Sequence, residues 1–295
     1  MKQTHRKWHL HIGRERLVSM MMLWPSLVGV LIFFLLPFCV VCYYAVINNP
    51  LQHQFVFLKN FVDLLHNSSF LMAVKNTASF SVIAVPLAVV LALGLALLLE
   101  ARIPGKSQFR TFFLSPMMVP VASIVLIWQV LFHYNGVVNQ WLAVFGVGAI
   151  DWLKSDQAQI VVILLFLWKN LGYNMILFMA SLSNIPRDLL EVADIEAASP
   201  WYKFVRIKLR YLSPTVLFVT ILSLINSFKV FREIYLLTGS YPYETLYMLQ
   251  HFMNNTFQSL DYQKLSAAAV LMAIVMVAII AILFITEDRF GRDVE

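Results

Sequence analysis

Asn184–Pro214 reads NIPRDLLEVADIEAASPWYKFVRIKLRYLSP, one long charged stretch between two apolar runs of membrane-spanning length. It opens at Pro186, a residue suited to the first position of a helix, after which Leu189, Leu190, Ala193 and Ala197 recur at helical spacing. Ser199-Pro200 restarts the pattern as an N-cap and first helical residue, and Trp201, Phe204, Val205, Leu209 and Leu212 form one apolar stripe. The spacing predicts two short amphipathic helices with a bend, built to touch another protein. A helix lying on the lipid surface would share the same periodicity, so the order of the residues has to separate the two readings.

The rest of the chain is made for lipid. Hydrophobic residues are 60% of the 295 and charged residues 13%, and mean hydropathy is +0.74, well beyond a soluble domain of this length. The fold class expected is an all-α membrane protein with six spans near 18–47, 73–99, 112–132, 157–179, 215–237 and 265–285, each close to the roughly 20 apolar residues needed to cross a bilayer. The first run is too long for a signal peptide and lacks a cleavage site, so it reads as an uncleaved helix. Pro25, Pro37 and Pro86 fall inside spans and predict kinks there.

Charge sets the orientation. Lys2, Arg6, Lys7, Arg14 and Arg16 precede the first span, and Arg102, Lys106 and Arg110 follow the second. Arg187, Lys203, Arg206, Lys208 and Arg210 follow the fourth, and Arg289 and Arg292 end the chain. The opposite side carries only Lys59, Lys75, Lys154 and Lys264. The cation-rich side is cytoplasmic by the positive-inside rule. The expected organisation is a cytoplasmic tail over 1–17, a six-span domain over 18–285 containing the 183–214 loop, and a cytoplasmic tail over 286–295. The net charge of +6 reports topology and calls for no nucleic-acid partner.

Catalytic groups are missing from the spans. All seven histidines lie outside them, and neither an HExxH pattern nor a Gly-x-Ser-x-Gly elbow occurs. Cys39 and Cys42 have no acid or histidine nearby and read as small packing residues, with no metal site implied. A phosphate-binding Gly-x-x-x-x-Gly-Lys-Ser/Thr loop is also absent. If the chain works with ATP, the nucleotide and its Mg are bound by another polypeptide. A membrane enzyme therefore has no visible constellation. A secondary transporter would place an ion-coupling carboxylate at mid-membrane, and no span has one near its centre. A channel-like scaffold is the remaining alternative.

The loop resembles the EAA loop of binding-protein-dependent ABC importer permeases. Glu191-Val192-Ala193, Asp194, Ile195, Glu196, Ala197 and Ala198, then Trp201, Phe204, Ile207, Leu209 and Pro214, follow that motif. Val192 replaces its first alanine, Ala197 its glycine and Arg210 the proline of its Leu-Pro pair. The alanine at 197 is expected to tighten or straighten the bend, and Arg210 to extend a basic side formed with Lys203 and Arg206. Further landmarks resemble the carbohydrate branch and its maltose-permease-like member. They are Phe109-Arg110 with Leu114, Pro116, Pro120, Trp128, Gly136 and Asn139; the Trp168-Lys169-Asn170 and Gly172-Tyr173-Asn174 cluster; and Ser227-Phe228-Lys229 through Thr238-Gly239. Ser240 and Tyr241 depart from that branch's Thr-Gly-Gly-Gly-Pro.

The resemblance implies a type I importer permease with cytoplasmic coupling helices, in the bacterial cytoplasmic membrane. Its implied partners are a second homologous permease, two cytoplasmic ATPases and an extracytoplasmic solute-binding protein; no cofactor is bound by this chain. It assigns the ATPase contact to Glu191, Ala193, Asp194, Glu196, Ala197 and Trp201, with Glu191 making the polar contact and Ala193, Ala197 and Trp201 packing around it.

A solute path is legible separately. Lys169 lies near the middle of the fourth span, where a lysine facing lipid costs roughly 2.5–3.5 kcal/mol. At about 100° per residue, Lys169, Asn170, Tyr173 and Asn174 share one polar arc of less than half the helix circumference. In the fifth span Asn226, Lys229 and Glu233 gather on one face beside Arg232, with Lys229 and Glu233 as an i,i+4 pair. These two faces are expected to line a cavity, with Tyr173, Phe228 and Tyr235 as flat surfaces for sugar rings. The same groups would also serve to knit helices together. Leucine at 169 is expected to preserve folding and lower transport.

Overall fold

The computed structural model describes residues 18–100 and 104–291. The basic residues Lys2, Arg6, Lys7, Arg14, Arg16, Arg102 and Arg292 lie outside them, as does the tail expected over 1–17. Among the described residues one isolated bridge, Ile47 to Phe55, is the only β pairing.

The helices in order are α1 (Val18–Ala45), α2 (Lys59–Leu65), α3 (Ser68–Glu100), α4 (Lys106–Met118), α5 (Val121–Leu131), α6 (Val137–Val144) and α7 (Ala158–Ser183). After α8 (Arg187–Ile195) comes α9 (200–211), then α10 (Ser213–Lys229), α11 (Phe231–Thr238), α12 (Leu249–Gln258) and α13 (Tyr262–Gly291). Among the described residues five stretches are long and apolar enough to cross a membrane: α1, α3, α7, α10 continued by α11, and α13.

The third expected span is not one continuous helix. α4 and α5 meet at an angle of 101°. Val119 precedes Pro120, whose ring disfavours helical backbone in the residue before it. Val119 is accordingly extended at φ −85°, ψ 132°, and Pro120 follows at φ −57°, ψ 139°. Counted as one broken span, the pair makes six crossings. Of the expected kinks, Pro37 follows a π-helical stretch at Leu31–Leu35, while helix continues through Pro25 and Pro86. A proline lacks the amide that the carbonyl four residues back needs, and a π turn is one way to absorb that.

Packing divides the described residues into two compact units, one within Met1–Leu65 and Leu260–Ala273 and the other within His66–Ser259 and Ile274–Glu295. In the first, Asn60 Nδ2 donates to the carbonyls of Ala45 and Ile47, both at 2.9 Å, and closes the turn after α1. Cys39, expected to be a packing residue, is exposed, and both cysteines are free thiols.

The second unit is organised by small residues. Ala84, Ala88, Ala92 and Ala96 recur every four residues along α3 and are fully buried. That spacing puts them on one face, and their size lets α7 approach closely, the usual way spans associate in lipid. Phe80, Phe166 and Ile234 fill one end of the interface and Met175, Phe178 and Leu212 the other. Gly172 plays the same part against α4. A Cβ there would lie 1.9 Å from the Phe113 carbonyl oxygen. The clash is with backbone, so no side chain can yield. Gly172→Ala is expected to destabilise the protein by about 2 kcal/mol or more, read as a lower thermal midpoint in detergent; an unchanged midpoint would refute the close approach.

α12 carries a buried histidine. His251 is fully buried, with Phe231 edge-on at 4.6 Å, and burial lowers its pKa to about 4. Its Nδ1 accepts from the Met248 amide at 3.3 Å, while Nε2 has no partner. An unfolded histidine titrates near 6.5. Between these values the unfolded chain binds the extra proton, so stability is full above pH 6.5 and falls as pH drops toward 4. Thermal midpoints measured from pH 7 to 5 should decline, and the decline should flatten in His251→Gln.

Candidate functional site

α7, α10 and α11 enclose a cavity of about 330 Å³, closed on one side by Met117 of α4. α7 supplies Lys169, Asn170 and Tyr173, α10 supplies Leu222, Asn226 and Lys229, and α11 supplies Arg232 and Glu233. Seven of the eight residues expected on a solute path therefore share one space. Asn174 does not. It is buried between the helices, its Nδ2 donating to Ser223 Oγ at 2.9 Å. The 140° that separates Asn174 from Lys169 on the wheel turns it from the cavity into the α7–α10 contact. Ser223, which no pattern in the sequence singled out, is its partner.

The ion pairing also differs from the i,i+4 expectation. Glu233 pairs with Lys169 across the helices. Lys229 and Glu233 fall on either side of a helix break at Val230, which removes the continuous register that an i,i+4 pair requires. Glu233 Oε1 accepts from Lys169 Nζ, and its Oε2 is buried with no partner. Asn226 Nδ2 donates to Asn170 Oδ1 at 3.0 Å, and Asn170 Nδ2 donates to the Phe166 carbonyl at 2.8 Å. The amides thus brace α7 against α10, while two of the cavity's cations, Lys229 and Arg232, have no partner among the described residues. The pairing alters one expectation. Leucine at 169 strands a buried carboxylate, so folding is not preserved at no cost.

The charged segment forms a second feature. Pro186 is extended (φ −59°, ψ 129°) and caps α8 instead of opening it. α8 ends in a Schellman turn, with Ala197 N–H donating to the Asp194 carbonyl at 3.1 Å and Ala198 N–H to the Ala193 carbonyl at 2.9 Å. Ala197 sits at φ 54°, left-handed backbone that glycine adopts more cheaply. The chain still turns here despite the alanine. Ala197→Gly should raise the thermal midpoint slightly, by about 1 kcal/mol of stability; a lower midpoint would contradict the strain.

Ser199 caps α9, its Oγ accepting from Tyr202 N–H at 3.2 Å. The helix widens to π geometry over Lys203–Lys208, which rotates the residues beyond it out of the regular stripe. Leu212 is buried, but Trp201 is 72% exposed, its ring tilted against Phe204 at 5.7 Å. Ala193 is the buried member of the expected contact set, and Glu191, Asp194, Glu196 and Ala197 are exposed. Asp194 pairs with Lys203 at 2.5 Å, and Lys208 reaches Glu100 at the end of α3 at 2.6 Å. Glu196, Tyr202, Arg206 and Arg210 line a cleft of about 320 Å³ between α8 and α9. Ile195, 85% exposed on the face of α8 that carries Glu191, was not among the expected contact residues. Its spacing of four from Glu191 was the available signal.

A family model described as binding-protein-dependent transport system inner membrane component matches residues 84–295. The chain belongs to this family. It is 32% identical over 286 residues to the trehalose/maltose transport system permease protein MalF of Thermococcus litoralis, covering 95% of this chain and 96% of that one. It is 30% identical over 270 residues to the sn-glycerol-3-phosphate transport system permease protein UgpA of Escherichia coli, covering 88% and 90%. The fold is that of a bacterial ABC transporter involved in import of the acidic polysaccharide alginate, with a TM-score of 0.80 at 22% identity and coverage of 96% and 99%. This family member is thus an inner-membrane transport component of the type I importer fold, with several apolar helices. Among its described residues no group of three histidine, cysteine, aspartate or glutamate side chains is placed to hold a metal ion.

Proposed function

We propose that this chain is the permease subunit of an ATP-driven importer that passes a carbohydrate, an oligosaccharide or glycoside, from an extracytoplasmic binding protein to the cytoplasm. The observation that carries the solute-path part is the polar cavity between α7, α10 and α11, sited within two apolar spans. The cavity offers amide and ammonium donors, and Tyr173 supplies a flat ring for the apolar face of a sugar. Relatives named for trehalose and maltose and for glycerol phosphate support the substrate class.

In this reading a second, homologous permease completes the pore, and two separate ATPases bind α8 and α9 from the cytoplasm. The exposed apolar side chains Val192 and Ile195 near Glu191 on α8, and exposed Trp201 on α9, suit such a contact. A permease whose termini and charged loop are cytoplasmic presents that face to the ATPases. Their closure on ATP would drive α8 and α9 as a lever on α10, which follows α9 after a single residue. Hydrolysis belongs to those subunits, and this chain positions and passes the solute.

The test is uptake into proteoliposomes holding this chain with its partner permease, ATPases and binding protein. Maltose and trehalose, each as the neutral sugar and as its phosphate ester, are the first solutes to try. Uptake should require ATP and the binding protein. Uptake that persists without the ATPases and follows an ion gradient would favour secondary transport.

A further inference from the structure

We propose that the cavity between α7, α10 and α11 contains an anion subsite formed by Lys229 and Arg232, so that the carbohydrate it passes bears a phosphate or carboxylate. The proposal rests on the solute-path reading and adds the charge of the solute to it. Three cations, Lys169, Lys229 and Arg232, line the same space as a single carboxylate, Glu233. Lys169 and Glu233 pair with each other. Neither Lys229 nor Arg232 forms a hydrogen bond or ion pair with any described residue, so two positive charges border the cavity without an internal counter-ion.

Cations are expensive in a membrane span and are kept where they face water, a counter-ion or a ligand. A neutral sugar would engage the amides of Asn170 and Asn226 but leave both charges to water alone. An anionic group satisfies them by charge-assisted hydrogen bonds, with the planar fork of Arg232 able to grip two oxygens at once. Glu233 is committed to Lys169, and the amides of Asn170 and Asn226 on the same wall supply partners for sugar hydroxyls. The site therefore matches a solute carrying hydroxyls and an anion together.

The test uses the assembled importer in lipid nanodiscs, with Met117→Cys as reporter on the cavity wall and Cys39→Ser and Cys42→Ser as background. Rates of mixed-disulfide formation, with methanesulfinate leaving, are measured for an anionic sulfonatoethyl and a cationic trimethylammonioethyl methanethiosulfonate, in each nucleotide state and at matched ionic strength. The anionic-to-cationic ratio should exceed that of a free thiol in solution by about tenfold or more. It should return to the free-thiol ratio in Lys229→Gln/Arg232→Gln. Reaction with both reagents in the free-thiol ratio would overturn the anion subsite and leave the solute path standing, and a ratio unmoved by the double variant would remove these two residues from it. Reaction with neither reagent in any state would overturn the path reading itself. Inorganic phosphate and galacturonate at millimolar concentration then separate the sources. Slowing of the anionic reagent by phosphate alone assigns a phosphorylated solute, slowing by galacturonate alone a sugar acid, and slowing by both the shared anion chemistry. Slowing by neither overturns the proposal.

Discussion

Lys169→Leu is expected to lower the thermal midpoint of the purified protein by on the order of 5–10 °C and to abolish uptake. The reason lies with its partner. Glu233 is held at 7% side-chain exposure and bonds Lys169 through one oxygen, the other having no partner. Removing one member of such a pair leaves an uncompensated charge, a cost of about 3 kcal/mol at the lower end of the usual range because the lysine is 30% exposed. Lys169→Leu/Glu233→Leu should recover most of the lost stability, since apolar replacement of a whole buried pair is often neutral. Uptake should remain low in the double variant, because the cavity has lost a donor and an acceptor together. Thermal melts and uptake at matched expression separate the two effects. An unchanged midpoint in the single variant, or no recovery in the double, would show that the pair carries no such energy.

Glu191→Lys is expected to cut uptake and ATPase co-purification at least about tenfold while leaving insertion and thermal midpoint unchanged. Glu191 is exposed on α8 and makes no bond to a described residue, so the folded chain gives no internal reason to keep a carboxylate there. It stands beside Val192 and one turn before Ile195, both exposed apolar side chains. An apolar patch around one acid is the composition of a contact whose charge must be matched by the other side, and reversal of a matched charge costs about 2–5 kcal/mol. Ile195→Asp should mimic the loss by a different route, through desolvation of a new charge. Normal uptake with full ATPase recovery in Glu191→Lys would remove this residue from the docking surface.

Composition and periodicity alone fix the solvent of this protein, the position of five of the six expected apolar spans, and the two amphipathic helices between the expected fourth and fifth. These depend on length and period, which act within a few neighbouring residues. Ser199 as N-cap and the polar arc around Lys169 were legible for the same reason: helix geometry converts spacing directly into a shared face. The family resemblance on Glu191 through Pro214 named the loop, but the physics of Ala197 became visible only with its backbone at φ 54°.

Tertiary structure decided what each face meets. A wheel places Lys169 and Glu233 on their own helices, yet only the packing of α7 on α10 and α11 pairs them. The break at Val230 is what separates Glu233 from the nearer Lys229. Asn174 looked like Asn170 in sequence and ended buried against Ser223. Gly172 could be read as a landmark but not as the point where α4 crosses with no room for a methyl group. The bend of 101° between α4 and α5 was written in Val119-Pro120, although its size depends on what each half packs against. Periodicity fixes direction around one helix, whereas ion pairs, close approaches and cavities depend on distances between helices, and those are set by the sum of the packing.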